Sequence, residues 1–553
     1  MLWRIAARTF WTMVGKGVKG IYCFQFQEGT HHDSYPKWAL LRHDLAPKNK
    51  LGAFADCAHE VHRLERLLTH ARRRDAVKPV ALYYSRIDLS LDQPLASTWG
   101  EGVDSPYHVY EVLRGLGYSV RWITPKQIEE GQLASVGAVV LVNAQHVPAT
   151  AASTLAGWVK EGGAVIGDRW PGAFDEHGRP QDVLAPIFGV CAAKPGKSQR
   201  AKGKLALEES TQGYGEVTIS AIEGDERHKT VGEMWQQWDA THPVARELGP
   251  YMLSGFGLQR VQCVDGHVIG MTFGGRPGVV LNEPGKGHSL YIAMLLGSLY
   301  SSSATQFEWD TTHSGLDAFR LLDAFLKHAG VQPAVNIGLP PRLRAKVRIE
   351  VPLVDAAGNV LIGVTSFNDE SLVSLPLTVR WPEGLPEPVR AFVVVGGSRQ
   401  LTQCPSDLVD DSLHVTVPEV DTHATILLLR DSAPLVSLRV KGAPRAIAGL
   451  LHVSPGTELQ VEATVHNPSP RRLDAGDVAL VLPRGWSTPR SQRSIRAIKP
   501  WAKRSATFRV TAPSLCAARR LRPLLVRYTN ATLTSTPATE LVWWEGALEL
   551  PER

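Results

Sequence analysis

The residues best suited to chemistry lie in one short stretch near the start of the chain. Phe24 and Phe26 end an apolar segment, Glu28 follows two residues later, and Trp38 lies in the polar stretch beyond. Aromatic ring faces stack on the apolar faces of bound ligands, and a carboxylate at a strand end can contact a substrate. The candidate substrate-binding residues are therefore Phe24, Phe26, Glu28 and Trp38. The structural alternatives are core packing for whichever phenylalanine points inward and loop anchoring for Glu28.

A metal or thiol site is not indicated by the spacing of the histidines and cysteines. His31-His32-Asp33 resembles part of a metal cluster, but adjacent residues of a strand point to opposite faces, and no third ligand is evident. The six cysteines lie far apart, without CxxC or zinc-knuckle spacing. We expect buried free thiols, no metal site and no cofactor.

The elements around the first candidates suggest part of a barrel. Apolar residues recur at helical spacing over residues 2–16, and residues 21–26 form a β-branched and aromatic run typical of a buried parallel strand. A loop leads to a second helix whose apolar stripe extends from Phe54 to Leu68. Helix, strand, loop and helix make about one and a half units of a (β/α)8 barrel. A basic linker at residues 72–78 follows.

Residues 78–335 alternate between strand and helix patterns, which predicts an α/β domain with parallel strands and right-handed crossovers. The predicted strands are 80–84, 119–123, 138–143, 164–167, 278–281 and 288–293. The predicted helices are 107–116, 149–161 and 315–328. The polar stretch 194–236 is interpreted as a solvated excursion, for which a hairpin is one possible form.

Helical periodicity ends after Pro340-Pro341, and short alternating runs follow. They predict two β-sandwiches in series, over residues 342–433 and 436–553. The predicted strands of the first are 346–350, 360–365, 377–381, 391–395 and 425–429. Those of the second are a strand beginning near 436 and then 459–466, 478–482, 506–510, 524–528 and 540–544.

Composition excludes some classes of partner. The chain has 553 residues, 44% of them hydrophobic, and a net charge of +6 without a dense basic run beyond Arg72-Arg73-Arg74, so we expect no nucleic-acid partner. No apolar stretch is long enough for a membrane helix, and no signal peptide is evident. The sequence as written indicates a cytoplasmic protein, or a secreted or periplasmic one if an upstream signal has been lost.

Several segments resemble parts of a known enzyme family. The strand ending in the aromatic-Gln-aromatic sequence Phe24-Gln25-Phe26 resembles the last barrel strand of family 42 β-galactosidases. The α/β region is similar to the family's trimerisation domain, which has a class I glutamine-amidotransferase-like or flavodoxin-like fold. The segments that carry this similarity are residues 139–142, 158–163 and 285–288. Residues 1–75 would then be the C-terminal remnant of a truncated (β/α)8 barrel.

The end of the chain looks like another known module. The segments 455–457, 482–486 and 508–510 resemble the immunoglobulin-like module appended to many α-galactosidases. Its tryptophans Trp486, Trp501, Trp543 and Trp544 are candidates for either core packing or contact with a ligand or another domain. The resemblances together imply four domains: a barrel remnant, a trimerisation domain and two immunoglobulin-like β-sandwiches.

The family resemblance implies a lineage more than an activity. Retaining glycosidases of this family use two glutamates, which the family places on the fourth and seventh barrel strands, and these would precede Met1. We therefore assign no catalytic residue and expect the chain to be inactive alone. The implied role is assembly of a homo-oligomer, a trimer by resemblance, and completion of a carbohydrate site. The alternatives are a stand-alone carbohydrate-binding or interaction protein, or a fragment of a split gene whose full product hydrolyses β-galactosides.

Amidotransferase chemistry is not expected, although the α/β domain resembles that fold. True members carry a cysteine nucleophile between glycines on a strained turn between a strand and a helix. Neither Cys191 nor Cys263 has such glycines. Asn143-Ala144-Gln145-His146 follows a strand near the corresponding position but offers no nucleophile.

Overall fold

The computed structural model describes two compact units, one formed by Met1–Arg74 with Ile349–Arg553 and the other by Asp75–Arg348. The residues it describes are 2–18, 21, 39–42, 47–48, 51–86, 101–192, 232–239, 241–246, 253–255, 261–272, 277–293, 296, 313–344, 346–350, 353–355, 357–368, 370–382, 390–395, 401–444, 450–514, 516–517, 521–535, 538–544 and 548–549. The four predicted domain boundaries stay a prediction.

Helices are distributed unevenly between the units. The first unit has α1 (Leu2–Gly15), α2 (Leu51–Arg63) and α3 (Glu65–His70). The second unit has α4 (Glu101–Gly115), α5 (Pro125–Glu129), α6 (Ala149–Lys160), α7 (Pro243–Arg246), α8 (His313–His328) and α9 (Pro341–Arg344), with a 3-10 turn at Gln132–Ser135. None of the described helices is both long and apolar enough to cross a membrane.

The second unit, called the α/β unit below, is built on a nine-stranded sheet of order β3-β2-β4-β5-β12-β11-β10-β7-β8. Its strands are β2 (Val80–Tyr83), β3 (Val120–Ile123), β4 (Ala138–Leu141), β5 (Ala164–Asp168), β7 (Gly232–Trp238), β8 (Leu253–Gly255), β10 (His267–Thr272), β11 (Pro277–Asn282) and β12 (His288–Ile292). Two short strands, β6 (Val190–Ala192) and β9 (Val261–Cys263), pair separately, and β13 (Val335–Ile337) follows α8.

The predicted parallel layer is confirmed by the pairing of β3, β2, β4, β5 and β12, which all run in one direction. Every residue of β2, β4 and β5 is buried, as is typical of parallel strands in a sheet that is covered on both faces. Strand β11 joins the same sheet but runs antiparallel to β12, since only a tight turn connects the two. Residues 194–236 were predicted to be a solvated excursion, but the end of that stretch belongs to the sheet, because Gly232–Trp238 forms strand β7.

The first unit is mostly β structure. Its first group of strands is β1 (Arg72–Arg73), β15 (Leu353–Val354), β16 (Val360–Ser366), β17 (Leu372–Arg380), β18 (Arg390–Val395), β19 (Leu401–Cys404), β20 (Ser406–Val409), β21 (Ser412–Val420) and β22 (His423–Leu429), while β14 (Val347–Ile349) spans the boundary between the units. The second group is β23 (Leu435–Lys441), β24 (Leu451–Val453), β25 (Glu458–His466), β26 (Gly476–Val481), β27 (Gln492–Ile495), β28 (Lys503–Thr511), β29 (Cys516–Ala517), β30 (Leu521–Thr529), β31 (Ala538–Trp544) and β32 (Leu548–Glu549).

The second group forms two sheets that share one core. Their orders are β23-β25-β28 and β24-β31-β30-β26-β27. Val461 and Phe508 of the first sheet belong to the same buried cluster as Val478 and Val526 of the second. We call these two layers the C-terminal sandwich. Trp486 is buried in its core, and Trp501 stacks on Phe392 of the first group with ring centroids 6.2 Å apart.

The N-terminal helices lie against the β structure of their own unit. Arg8 of α1 donates hydrogen bonds to the backbone oxygens of Ser366 (2.7 Å) and Asn368 (3.0 Å). Trp11 stacks on His423 of β22, with ring centroids 4.2 Å apart. The predicted basic linker begins with a strand instead, because Arg72–Arg73 pairs antiparallel with Leu353–Val354. The expected strand 21–26 lies outside the described residues except for Ile21.

The expectation of buried thiols holds for two of the four described side chains. Cys57 and Cys404 are buried and free, Cys263 is half-buried, and Cys191 is exposed on β6. Burial raises the pKa of the Cys404 thiol to about 12. The prediction of burial was therefore wrong for Cys191, whose strand belongs to a two-stranded sheet outside the main layer.

Candidate functional site

The sequence candidates Phe24, Phe26, Glu28 and Trp38 lie outside the described residues, as does His31-His32-Asp33. Their roles in substrate contact therefore stay predictions. The described residues offer instead three places in the α/β unit where side chains of chemical interest meet. These are the carboxyl ends of β4 and β5, an exposed aromatic face on α4 and β3, and a histidine-lined cavity.

Asp168 organises the carboxyl ends of β4 and β5. Its side chain is fully buried and accepts backbone hydrogen bonds from Asn143 at 2.5 Å and from Leu296 at 2.7 Å. Burial raises the pKa of this carboxyl from 3.8 to about 7, against the opposing effect of the two N–H donors. Both oxygens are already used to hold the backbone, so Asp168 is a positioning residue.

Backbone strain is concentrated beside Asp168. Asn143, Arg169 and Trp170 all have positive φ angles, of 48°, 23° and 49°. Such conformations cost free energy in residues other than glycine, and they cluster at functional sites. The guanidinium of Arg169 lies over the Trp170 ring, 5.0 Å from its centroid. This end of the sheet is where open α/β folds bind ligands, and it presents a cation and an indole there.

The segment Asn143-Ala144-Gln145-His146 is buried and serves the fold. Gln145 Nε2 donates to Asn143 Oδ1 at 3.3 Å, and the His146 ring stacks on Phe174 with centroids 5.3 Å apart. The backbone oxygen of His146 accepts a hydrogen bond from the Tyr83 hydroxyl at 3.2 Å. These contacts hold the segment against the neighbouring residues of the fold.

The aromatic face consists of Tyr84, Tyr107, Tyr110 and Trp122. Tyr107 and Tyr110 stack at 6.5 Å along one side of α4, and Tyr110 stacks on Trp122 of β3 at 6.0 Å. Tyr84 contacts Trp122 edge-on at 6.1 Å. Tyr84, Tyr107 and Trp122 remain 42%, 50% and 42% exposed. Three neighbouring aromatic rings left half in solvent indicate a contact surface.

Arg114 fixes the orientation of the central ring of this face. Its Nη1 donates to the Tyr110 hydroxyl at 2.8 Å, and its guanidinium lies 5.5 Å from the Tyr110 ring centroid. Because Arg114 itself is buried, it anchors Tyr110 from the protein interior, while Tyr84, Tyr107 and Trp122 stay exposed.

The histidine-lined cavity has a volume of about 400 Å³ and lies where β12 begins and β11 ends. Four histidines line it, namely His242, His267, His288 and His328. His267 Nε2 lies 2.6 Å from Asp239 Oδ2, and hydrogen bonds from Thr241 and His267 lower the pKa of Asp239 to about 2. Burial lowers the pKa of both His242 and His288, so these rings are favoured in the neutral form.

Close packing of two glycine-containing segments positions His288 at this cavity. Lys286 N–H donates to Lys160 O at 2.9 Å, and His288 N–H donates to Gly163 O at 3.1 Å. A Cβ at Gly287 would lie 1.9 Å from Val159 O, so only glycine fits. The segments 158–163 and 285–288, which carried the family resemblance, thus pack on each other.

The aromatic face and the cavity were not predicted from the sequence, for different reasons. Tyr107 and Tyr110 are three residues apart in a predicted helix, which is a usable signal for one shared face. The four histidines come from separate segments and carry no motif spacing. Only the fold brings them together.

One family model matches part of the C-terminal sandwich. Residues 453–523 match the model described as the NPCBM-associated, NEW3 domain of alpha-galactosidase. This match confirms a C-terminal module of the kind associated with glycoside hydrolases, as its resemblance predicted. No curated protein matches the chain.

Solved structures similar to the chain include glycosidases of different specificity. The β-galactosidase from Rahnella sp. R3 is 14% identical, with a TM-score of 0.47, over 76% of this chain and 50% of that chain. The β-galactosidase from Bacillus circulans sp. alkalophilus is 14% identical, with a TM-score of 0.45, over 73% and 49%. Alpha-L-fucosidase isoenzyme 2 from Paenibacillus thiaminolyticus is 13% identical, with a TM-score of 0.45, over 71% and 54%. The chain spans about half the length of these structures.

Proposed function

We propose that this chain is a non-catalytic, accessory part of a β-galactosidase-like glycoside hydrolase, acting in oligomer assembly and in completion of a carbohydrate site. The observation that carries the proposal is the match of residues 453–523 to the NEW3 module, within a sandwich that has its own continuous core. The sequence resemblance of the α/β unit to a trimerisation domain supports the assembly role.

The aromatic face is the surface we assign to assembly. It lies partly on β3, which is an edge strand of the nine-stranded sheet in the part of the chain that the structure describes. Exposed edges next to apolar groups invite pairing with another chain. Aromatic residues are also enriched at the energetic centres of protein interfaces.

The exposed area suits the centre of an interface rather than the whole of one. An aromatic side chain has about 200 Å² to bury, so three half-exposed rings offer about 250–300 Å². A standard interface buries about 800 Å² on each partner. The face would therefore be an anchoring cluster at the contact between copies of this chain.

The assembly role is tested by replacing the ring that joins helix and strand. Trp122→Ala removes the ring that contacts both Tyr110 and Tyr84. We expect this variant to lower the sedimentation coefficient of the full chain from that of an oligomer toward that of a monomer. Val264→Ala is the matched control, since Val264 is an exposed apolar residue of the same unit outside the face. If the Trp122→Ala protein remains an oligomer with an unchanged sedimentation coefficient, the aromatic face does not form the contact between copies of the chain.

The same face favours one second candidate function, a carbohydrate-binding protein. Half-exposed aromatic rings are also the groups on which pyranose rings stack. Calorimetric titration of the full chain with galactan oligosaccharides separates the two functions. Glycan binding that Trp122→Ala abolishes, with the molecular mass unchanged, supports the second function, whereas loss of the oligomer without glycan binding supports the first.

A further inference from the structure

We propose that Glu283, His288 and His328 form a binding site for a divalent transition metal, with Zn²⁺ as the ion that fits best. Glu283 directly follows β11, His288 begins β12 and His328 ends α8. One potential ligand atom from each residue lies within 4.8 Å of the other two. This site is independent of the assembly role proposed above.

The spacing of the three groups is close to that of a metal centre. Glu283 Oε1 lies 3.6 Å from His328 Nε2 and 3.9 Å from His288 Nδ1. Two ligands bound to Zn²⁺ at 2.0–2.1 Å in tetrahedral geometry lie about 3.3–3.4 Å apart. Glu283 is exposed, so its side chain can close the few tenths of an ångström by which its two separations exceed this value. The ligand atoms of the two histidines lie within 4.8 Å of each other, and these rings must also approach for all three groups to reach one ion.

His288 supplies a second, independent observation. Its Nδ1 is buried and has no hydrogen-bond partner among the described residues, and the 3.9 Å separation from Glu283 Oε1 exceeds a hydrogen bond. Buried polar atoms are nearly always satisfied, and an orphaned one needs an explanation such as an ordered water or a bound ion. A metal ion between the three groups would satisfy it.

The donor set selects the type of metal. Two imidazoles and one carboxylate suit Zn²⁺ and its neighbours, whereas Mg²⁺ and Ca²⁺ prefer oxygen ligands throughout. All three residues line the cavity of about 400 Å³, which leaves room for a fourth ligand such as water. Three protein ligands with an open position are typical of zinc sites that do chemistry, while closed sites of four ligands are structural.

His242 is assigned to the surroundings of the ion. Its ring lies 5.3 Å from that of His328, but its Nδ1 already accepts a hydrogen bond from Val244 N–H at 3.2 Å. A neutral ring with Nδ1 as acceptor carries its proton on Nε2, which makes it a donor rather than a ligand. His242 can therefore donate to a ligand bound at the open position.

Isothermal titration of Zn²⁺ into the full chain, after removal of metals with a chelator, tests the site. We expect saturable binding of one ion, loss of that binding in His288→Ala and His328→Ala, and a fall in affinity of about 10-fold in His242→Ala. His177→Ala is the matched control, because His177 Nε2 lies 3.8 Å from Glu176 Oε1 but belongs to no group of three potential ligands among the described residues. Mg²⁺ should not compete.

A spectroscopic measurement keeps the proposal testable if a histidine variant fails to fold. X-ray absorption of the zinc-loaded wild-type chain should show two imidazole nitrogens and a carboxylate oxygen, and Glu283→Gln should alter that signal while retaining the circular dichroism of the wild type. Absence of saturable binding, a different ligand set, or equal loss of binding in His177→Ala would overturn the assignment.

Discussion

The backbone N–H of Asn143 donates a 2.5 Å hydrogen bond to Oδ1 of Asp168, and this bond joins the carboxyl ends of two neighbouring parallel strands. The other oxygen of Asp168 holds Leu296. The carboxyl group is thus the common acceptor for two backbone segments that approach the same end of the sheet.

Asp168→Asn should destabilise the α/β unit by about 1–3 kcal/mol, because an amide offers one acceptor where the carboxyl offers two. The folded pKa of about 7 lies above the ordinary 3.8, so the folded unit binds more protons between these values and its stability falls as pH rises from about 4 to 7. The variant should lack this dependence. Hydrogen exchange of the β4 amides against pH measures both effects, and an unchanged pH profile in the variant would contradict the role of Asp168.

Arg348 and Glu111 form a buried ion pair in the α/β unit, with Nε 3.0 Å from Oε2. Arg348→Met leaves the Glu111 carboxylate buried without its cation, and we expect a loss of about 3–5 kcal/mol. Lys126→Met is the control, since Lys126 pairs with Glu130 at 3.7 Å on the surface and should cost less than about 1 kcal/mol. Hydrogen-exchange protection of the β2 and β4 amides measures the loss of stability in each of the two variants. Similar losses in the two variants would show that burial is not the deciding factor.

Gly287→Ala should destabilise the turn that leads into β12 by about 1–3 kcal/mol, because the added methyl group meets Val159 O and Gly163 O at 1.9 and 2.5 Å. Gly157→Ala is the opposite case. Gly157 lies in α6 with nothing within 4 Å of the added Cβ, so alanine should stabilise by about 0.5–1 kcal/mol. Thermal denaturation of the two variants should shift in opposite directions, and shifts of the same sign would refute the close-approach argument.

Two buried histidines should make the first unit sensitive to acid. Burial lowers the pKa of His423 from 6.5 to about 3, and burial with the charges of Arg63 and Lys503 does the same for His466. The unfolded chain then binds more protons between pH 3 and 6.5, so stability is lost as pH falls through this window. The slope is about 1.4 kcal/mol per pH unit for each imidazole.

The measurement is urea denaturation of the first unit at pH 7, 6 and 5, followed by hydrogen exchange of the β22 and β25 amides. His466→Gln should flatten the acid limb, whereas His414→Gln, at an exposed position of the same unit, should not. A wild-type stability that stays constant from pH 7 to 5 would contradict the buried neutral state of both rings.

Part of the parallel sheet was predictable because β4 and β5 are short runs rich in valine and isoleucine on either side of α6, a signal contained in the local sequence. Leu401–Cys404 and Ser406–Val409 were not predicted, since both strands are short and contain exposed polar residues, so they resemble loop sequence. The antiparallel register of β11 against β12 was also not predicted, because it is set by the turn between the two strands and not by their composition.

The candidate site was less accessible to sequence reasoning than the fold. The predicted sugar-contacting residues rest on a family resemblance and stay predictions. His288 and His328 lie with ring centroids 5.1 Å apart, yet one begins a strand and the other ends a helix. Such a pair is created by packing between elements, and a single sequence carries no distance between them.

The most direct test of the proposed accessory role is the solution mass of the full chain, measured by light scattering at micromolar concentration. We predict about three times the 60.4 kDa of one chain, in line with the trimer implied by the family resemblance. A mass of one chain across the micromolar range would contradict the assembly role.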